Sequence, residues 1–220
     1  MSSVGNANSL HPLPALYPIV NLAGENSQLA EELLRAEVPL LQLRVKDATD
    51  REFFLRVQQV VERRNQLGSV SKLIVNDRID IAHYFELDGV HLGQDDVPLE
   101  VARKQLGNDA IIGLSTHNRP QFLEAQSLPL TYVAVGPIFL SKSKSGHAEP
   151  VGVTMLETLS AQASHPVVAI GGITEENAAS VFNAGATSVA VISALGVNNL
   201  HSMFKKMDTF RGQQPPPATN

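Results

Sequence analysis

Cysteine is absent from this chain, which removes disulfide staples and thiolate metal sites and suits a reducing cytoplasm, the expected location. Basic charge is scarce too. Seventeen Lys and Arg stand against 22 Asp and Glu, a net charge of -5, so no basic field recommends nucleic acid or an anionic membrane as a partner. Any anion has to be held by local groups. No run approaches the ~20 apolar residues needed to span a bilayer. The opening MSSVGNANSLHPLP lacks both a basic start and a long apolar stretch, so no signal peptide is expected. The 7 histidines are scattered without metal-ligand spacing, which argues against zinc. No Walker loop, dinucleotide fingerprint or Ser-His-Asp arrangement is present.

What is present is a periodic α/β pattern. The 220 residues, 43% hydrophobic and 18% charged, suffice for one large core and match the length of one closed barrel. Short β-branched runs at 15–20, 39–45, 72–75, 89–92, 110–115, 132–136, 166–171 and 187–193 read as strands, and several are apolar throughout, as parallel strands covered on both faces must be. Helical patterns lie between them. One starts at Thr49, where T-D-R-E forms a capping box with Glu52; Phe53, Val57, Val60 and Val61 face the core, and Arg56, Gln59, Arg63 and Arg64 face outward. Another runs from about Glu175 to Asn183 and stops at Gly185, and a last one spans about Asn199 to Phe210. Eight strand–helix units predict a single-domain (β/α)8 TIM barrel over 15–210, with a partly flexible extension at 1–14 and a disordered, proline-rich tail at 211–220. An open doubly wound sheet is the rival, but it typically needs fewer strands.

In such a barrel chemistry belongs at the C-terminal ends of the strands. Those ends carry, in order, Gln42, Arg44 and Lys46; Asn76 and Asp77; His91, Gln94, Asp95 and Asp96; Ser115, Thr116 and His117; the stretch GPIFLSKSKSG; Gly171 and Gly172; and Ile192 with Ser193. Singly, each has a plain explanation as a turn or helix cap. Their joint placement does not. Arg44, Lys46 and Lys144 are cations at neutral pH. Asp77 and Asp96 are hard oxygen ligands, suited to Mg2+ held jointly with phosphate oxygens. Gly171 and Gly172, followed by a helix N-terminus and with Ser193 nearby, form a phosphate cradle. Cations and Mg2+ ligands on one side, with a separate backbone cradle on the other, imply two phosphorylated groups. A diphosphate gripped by metal and cations is a good leaving group, because the charge developing on its departure is neutralised.

The ordered motifs resemble the thiamine-phosphate synthase family over about residues 15–195. Q-L-R-V-K, Asn76-Asp77, GVHLGQDD, Gly113-Leu114-Ser115, G-P-I-F-L-S-K-S-K, Gly171-Gly172-Ile173 and Ile192-Ser193 stand in the family's order. The resemblance implies a Mg2+-dependent transferase that joins hydroxymethylpyrimidine diphosphate to a thiazole phosphate, or its carboxylated form. Pyrophosphate is released through a pyrimidine carbocation. It also implies roles: Gln42 on the pyrimidine; Arg44, Lys46, Asn76, Ser115 and Lys144 on the pyrophosphate; Asp77 and Asp96 on Mg2+; Ser141, Ser143, Gly172, Ile192 and Ser193 on the thiazole phosphate. Of these, Lys144, Arg44, Lys46 and Ser115 are the expected catalytic set.

Two departures are visible. Serine replaces the family's threonine at 141 and 143, keeping the hydroxyl and losing a methyl, and Val45 stands where an acid is common, with its side chain expected to point away from the mouth. Lys142, between motif positions, reads as a solvated lysine. The alternatives are a thiazole tautomerase-like isomerase, from which Asp96 and Gly136-Pro137 separate this chain, and a non-catalytic barrel that binds thiamine precursors. The expected partners are small molecules, and a homo-oligomer is left open.

Overall fold

Strand and helix alternate along the chain in a computed structural model that describes residues 12–22, 27–140 and 149–214. The order is β1 (Leu16–Asn21), α1 (Ser27–Arg35), β2 (Leu40–Arg44), α2 (Asp50–Leu67), β3 (Lys72–Asn76), α3 (Ile79–Tyr84), β4 (Gly89–Leu92), α4 (Leu99–Leu106), β5 (Ile111–Thr116), α5 (Arg119–Ala125), β6 (Tyr132–Val135), α6 (Gly152–Ser160), β7 (Val167–Ile170), α7 (Ala178–Asn183), β8 (Ser188–Val191) and α8 (Leu200–Gly212). Each strand pairs in parallel with the next, and β8 returns to β1, closing the barrel. The expected (β/α)8 fold is the one observed, as a single domain. No helix among the described residues is long and apolar enough to cross a membrane.

Closure gives each strand two buried faces, which is why the strands read as nearly continuous apolar runs. Successive side chains alternate between them. One set, including Val20, Leu41, Leu43, Val75, Val90, Ile112, Val133 and Val189, packs against the helices. The other, Tyr17, Ile19, Leu40, Ile74, Ile111, Tyr132, Ala134, Val168 and Ala190, fills the barrel interior, with Leu13 added at the N-terminal end of the strands. Val45 packs with the helix-facing set, pointing away from the mouth as expected.

The capping box that starts α2 is formed. Thr49 Oγ1 accepts the Glu52 N–H at 3.3 Å, and Glu52 Oε2 accepts the Thr49 N–H at 2.9 Å. Phe53, Val57 and Val60 are buried as expected, whereas Val61 is only half-buried. The arginines of this helix are less solvated than the periodicity predicts. Arg56 donates to the Leu22 carbonyl at 2.7 Å, Arg63 pairs with Glu31 at 2.5 Å and Arg64 with Asp88 at 3.4 Å, because long stems let guanidinium groups reach neighbouring elements across apolar surface.

Two helix boundaries differ from expectation. α7 begins at Ala178 rather than near Glu175, since the Asn177 side chain accepts the Thr174 N–H at 2.8 Å and holds 174–177 in a turn. α8 continues past Phe210 to Gly212. Beyond Phe210 the chain stays attached: Arg211 Nη1 donates to the Leu13 carbonyl at 2.5 Å, and Gln214 Nε2 donates to the carbonyls of Phe182 and Ala186 at 2.6 and 2.9 Å. Residues 211–214, assigned by sequence to a disordered tail, therefore belong to the barrel body, as does Leu13 of the expected extension. Residues 1–11 and 215–220 lie outside the described residues.

Candidate active site

At the C-terminal mouth, the inward-facing residues change from apolar to polar within one turn of the barrel. A cavity there is lined by Gln42 and Arg44 of β2, Asn76 of β3, His91 of β4 and Ser115 of β5, with Ile170 and Ile192 on the opposite side. The strand registers explain this convergence, because Asn76 sits opposite His91, His91 opposite Gly113, and Gly113 opposite Tyr132. Side chains that are remote in sequence thus form neighbouring positions on one wall.

Beneath the mouth a chain of hydrogen bonds crosses the barrel. Gln42 Nε2 donates to Tyr17 Oη at 2.7 Å, and Tyr17 Oη is 2.9 Å from Tyr132 Oη. Tyr132 Oη is 2.8 Å from His91 Nδ1, and His91 Nε2 is 2.8 Å from Ser115 Oγ. The His91 and Tyr132 rings are stacked, with centroids 5.7 Å apart, while Tyr17 meets Tyr132 edge-on. Burial pushes both phenols above their ordinary range, so each keeps its proton at any physiological pH. Sequence reading missed Tyr17 and Tyr132 and gave His91 no role. The available signal was parity: all three fall on inward positions of their strands.

A second cavity, about 270 Å3, adjoins the first through the shared residues Ile170, Ala190 and Ile192, and is walled by Gly171, Gly172, Ile173, Thr174, Ser193 and Ala194. The two glycines are required here. Gly171 and Gly172 have φ of +100° and +65°, and a Cβ on Gly171 would lie 2.6 Å from Pro137 Cα, one on Gly172 2.6 Å from the Leu140 carbonyl oxygen. The chain after β6 is pinned to this wall, Ile138 N–H donating to the Ile170 carbonyl at 2.9 Å and Phe139 N–H to that of Gly171 at 3.0 Å. The expected helix N-terminus is not part of the cradle. Because α7 starts later, a turn follows the glycines, braced by Asn177, which also donates to the Gly172 carbonyl at 2.9 Å.

The expected site residues therefore divide. Gln42, Arg44, Asn76, Ser115 and Ile192 line the mouth cavity, and Gly172, Ile192 and Ser193 the adjoining one. Lys46 is half-buried just beyond β2, where its N–H donates to Asn21 Oδ1 at 3.4 Å, and it lines neither cavity. Ser141, Ser143 and Lys144 lie outside the described residues. A larger cavity of about 420 Å3 sits between α1 and α2 and shares no lining residue with the mouth cavity or the adjoining one, so size does not mark the site.

The donor set also suits a hard cation. Asp77 follows β3 with φ +65°, and its N–H donates to the His91 carbonyl at 2.8 Å, which ties it to the end of β4. Asp96 accepts the Gly93 N–H on Oδ2 at 2.6 Å, leaving Oδ1 for a ligand. Two carboxylates on neighbouring strand ends, beside a mouth lined by Arg44, fit Mg2+ shared with substrate oxygens, which commonly uses one or two carboxylates. No group of three or more His, Asp or Glu side chains suited to a metal occurs among the described residues.

Comparison with known proteins gives a consistent result. Residues 16–195 match the family model described as thiamine monophosphate synthase. The thiamine-phosphate synthase of Clostridium novyi is 39% identical over 173 residues, covering 79% of this chain and 84% of the relative. That of Koribacter versatilis is 40% identical over 194 residues, 84% of this chain and 90% of the relative. Among solved structures, the thiamine phosphate pyrophosphorylase of Pyrococcus furiosus superposes with a TM-score of 0.75 at 29% identity, covering 94% of this chain and 97% of that one.

Proposed function

The chain belongs to the thiamine monophosphate synthase family, and from that premise we propose that its strand-end mouth joins hydroxymethylpyrimidine diphosphate to a thiazole phosphate. The protein is an enzyme, a transferase of thiamine biosynthesis. One observation carries the reading of the site: Gln42, Arg44, Asn76 and Ser115 converge on one cavity, and a separate glycine-walled cavity shares Ile192 with it. Two phosphorylated groups then have two places. The relatives named above are synthases, which favours joining over isomerisation.

In this reading the pyrimidine lies against Gln42, whose carboxamide orients the ring. Arg44, Asn76 and Ser115 hold the diphosphate, with Lys46 and Lys144 contributing further positive charge. The C–O bond between the pyrimidine methylene and the diphosphate breaks, and its electron pair leaves with pyrophosphate. The thiazole nitrogen then donates its lone pair to the resulting cation, forming the C–N bond. The thiazole phosphate is seated by Gly172, Ile192 and Ser193, with Ser141 and Ser143 added from the motif that follows β6 in sequence. Asp77 and Asp96 would hold Mg2+, which when bound supplies neutralisation of the charge developing on the leaving group. No strong base is required of the protein. It needs preorganised donors and a wall that keeps water from the cation, and Ile170, Ala190 and Ile192 provide that apolar side. A chain without cysteine suits the cytoplasm, where we place the enzyme.

Incubation of the protein with both substrates and Mg2+ is expected to yield thiamine phosphate and pyrophosphate, with synthesis abolished by EDTA and restored by added Mg2+. Isomerisation of the thiazole without joining would refute the function, and full activity in EDTA would refute the Asp77–Asp96 assignment.

A further inference from the structure

We propose that the buried chain Gln42–Tyr17–Tyr132–His91–Ser115 is polarised in one direction, and that it holds His91 as the Nε2–H tautomer so that the Ser115 hydroxyl hydrogen is directed to an anionic ligand in the mouth. Tyr17, Tyr132 and His91 are then positioning residues for the pyrophosphate, acting on it through Ser115. The proposal rests on the reading of Ser115 as a pyrophosphate donor.

The polarity follows from counting hydrogens. Gln42 donates to Tyr17 through Nε2, so Tyr17 Oη is already an acceptor at that end. Tyr17 is 1% exposed, and its other polar neighbour is Tyr132 Oη at 2.9 Å. A buried hydroxyl that donates to nothing costs roughly 1–3 kcal/mol, so the Tyr17 hydrogen goes to Tyr132. Tyr132 is fully buried. Having accepted from Tyr17, it places its own hydrogen on His91 Nδ1, 2.8 Å away. Neutral imidazole carries one hydrogen, and with Nδ1 accepting, that hydrogen lies on Nε2 and is donated to Ser115 Oγ at 2.8 Å. Raised phenol pKa values keep both tyrosines supplied with the proton this count requires.

The consequence appears at the mouth. Ser115 Oγ accepts from His91, and its one hydrogen is left for the cavity that Arg44 and Asn76 also line. Phosphate oxygens accept only, so a serine pointing its hydrogen at them is attractive. The reverse polarity would spend that hydrogen on His91 and turn lone pairs toward the anion. Gln94 assists by fixing the backbone, donating from Nε2 to the Ser115 carbonyl at 2.6 Å. The relay joins residues 115 apart in sequence, Tyr17 and Tyr132, so it exists only because the barrel closes.

The test uses the full chain without ligand. Long-range 1H–15N NMR at neutral pH, with His91 assigned by comparison with His91→Gln, is expected to show the Nε2–H tautomer; the Nδ1–H tautomer would overturn the proposal. Binding of pyrophosphate with Mg2+, by calorimetry, then reads the effect on Ser115. Tyr132→Phe removes the hydroxyl but not the ring, and is expected to weaken binding about tenfold, the loss appropriate to one misdirected hydrogen bond to a charged group. In a Ser115→Ala background the same change should cost almost nothing, because Tyr132 acts through that serine. Equal losses in both backgrounds would mean a merely structural tyrosine and would sink the relay. If the native protein binds no pyrophosphate, the ligand assigned to Ser115 is wrong, while the tautomer still judges the polarity. The spectroscopic result needs no folded Tyr132 variant.

Discussion

Gly113→Ala is the substitution from which most can be calculated. Gly113 lies between His91 on β4 and Tyr132 on β6 in register, and the Tyr132 ring occupies the space its missing side chain leaves. A Cβ built there falls inside the envelope of Tyr132 Cζ, Cε2 and Oη, so the ring must retreat by on the order of 1 Å before ordinary contact returns. Overpacking of this kind costs about 1–3 kcal/mol. The retreat also stretches the bonds of Tyr132 to Tyr17 and His91, now 2.9 and 2.8 Å, beyond the ~3.2 Å at which they remain useful. Leaving those buried groups unsatisfied adds about 1–3 kcal/mol, for a total of about 2–6 kcal/mol. For a domain of this size each kcal/mol moves Tm by ~2–4 °C, so thermal unfolding followed by circular dichroism should show a fall on the order of 5–20 °C. Gly212→Ala is the control, since nothing lies within 4 Å of its added methyl, and its Tm should match the native value or rise slightly. A Gly113→Ala protein melting within about 3 °C of native would refute the account, because less than ~1 kcal/mol would then separate the two packings.

Other expectations follow from single contacts. Hydrogen bonds from Arg63 and Arg35 hold the Glu31 carboxyl down at about 2, below the 4.5 of an unfolded glutamate; its contribution is complete above 4.5 and is lost as pH falls through that window. Urea midpoints of native protein should therefore drop more steeply on acidification than those of Glu31→Gln, and parallel curves would count against the pairing. Thr49→Ala removes the acceptor at the start of α2 and should lower stability by about 1 kcal/mol in urea unfolding with turnover unchanged. Arg44→Ala, at the mouth, should cut kcat/KM by on the order of a hundredfold, as for loss of one preorganised donor; native kinetics would remove Arg44 from the site.

The order of elements, the closed barrel and several of the residues that line its mouth were legible from the sequence because each is encoded locally. Short, nearly continuous apolar runs mark strands covered on both faces, a capping box marks the start of α2, and polar or glycine residues after β2 to β8 mark the mouth. Gln42, Arg44, Asn76 and Ser115 were found that way. What the tertiary structure alone decided depends on contacts between distant segments. Tyr17 and Tyr132 are ordinary strand aromatics until closure sets their hydroxyls 2.9 Å apart. Gly113 looks like a motif glycine until the register shows a ring lying over it. Arg56, Arg63 and Arg64 carry helical spacing that reads as solvent-facing, and only the packing of neighbouring elements around α2 reveals the acceptors they reach. The turn at 174–177 departs from the helical pattern because one asparagine side chain, Asn177, competes for a backbone hydrogen. Periodicity reports which face a residue occupies; it carries no information about which group stands across from it, and the barrel supplies that.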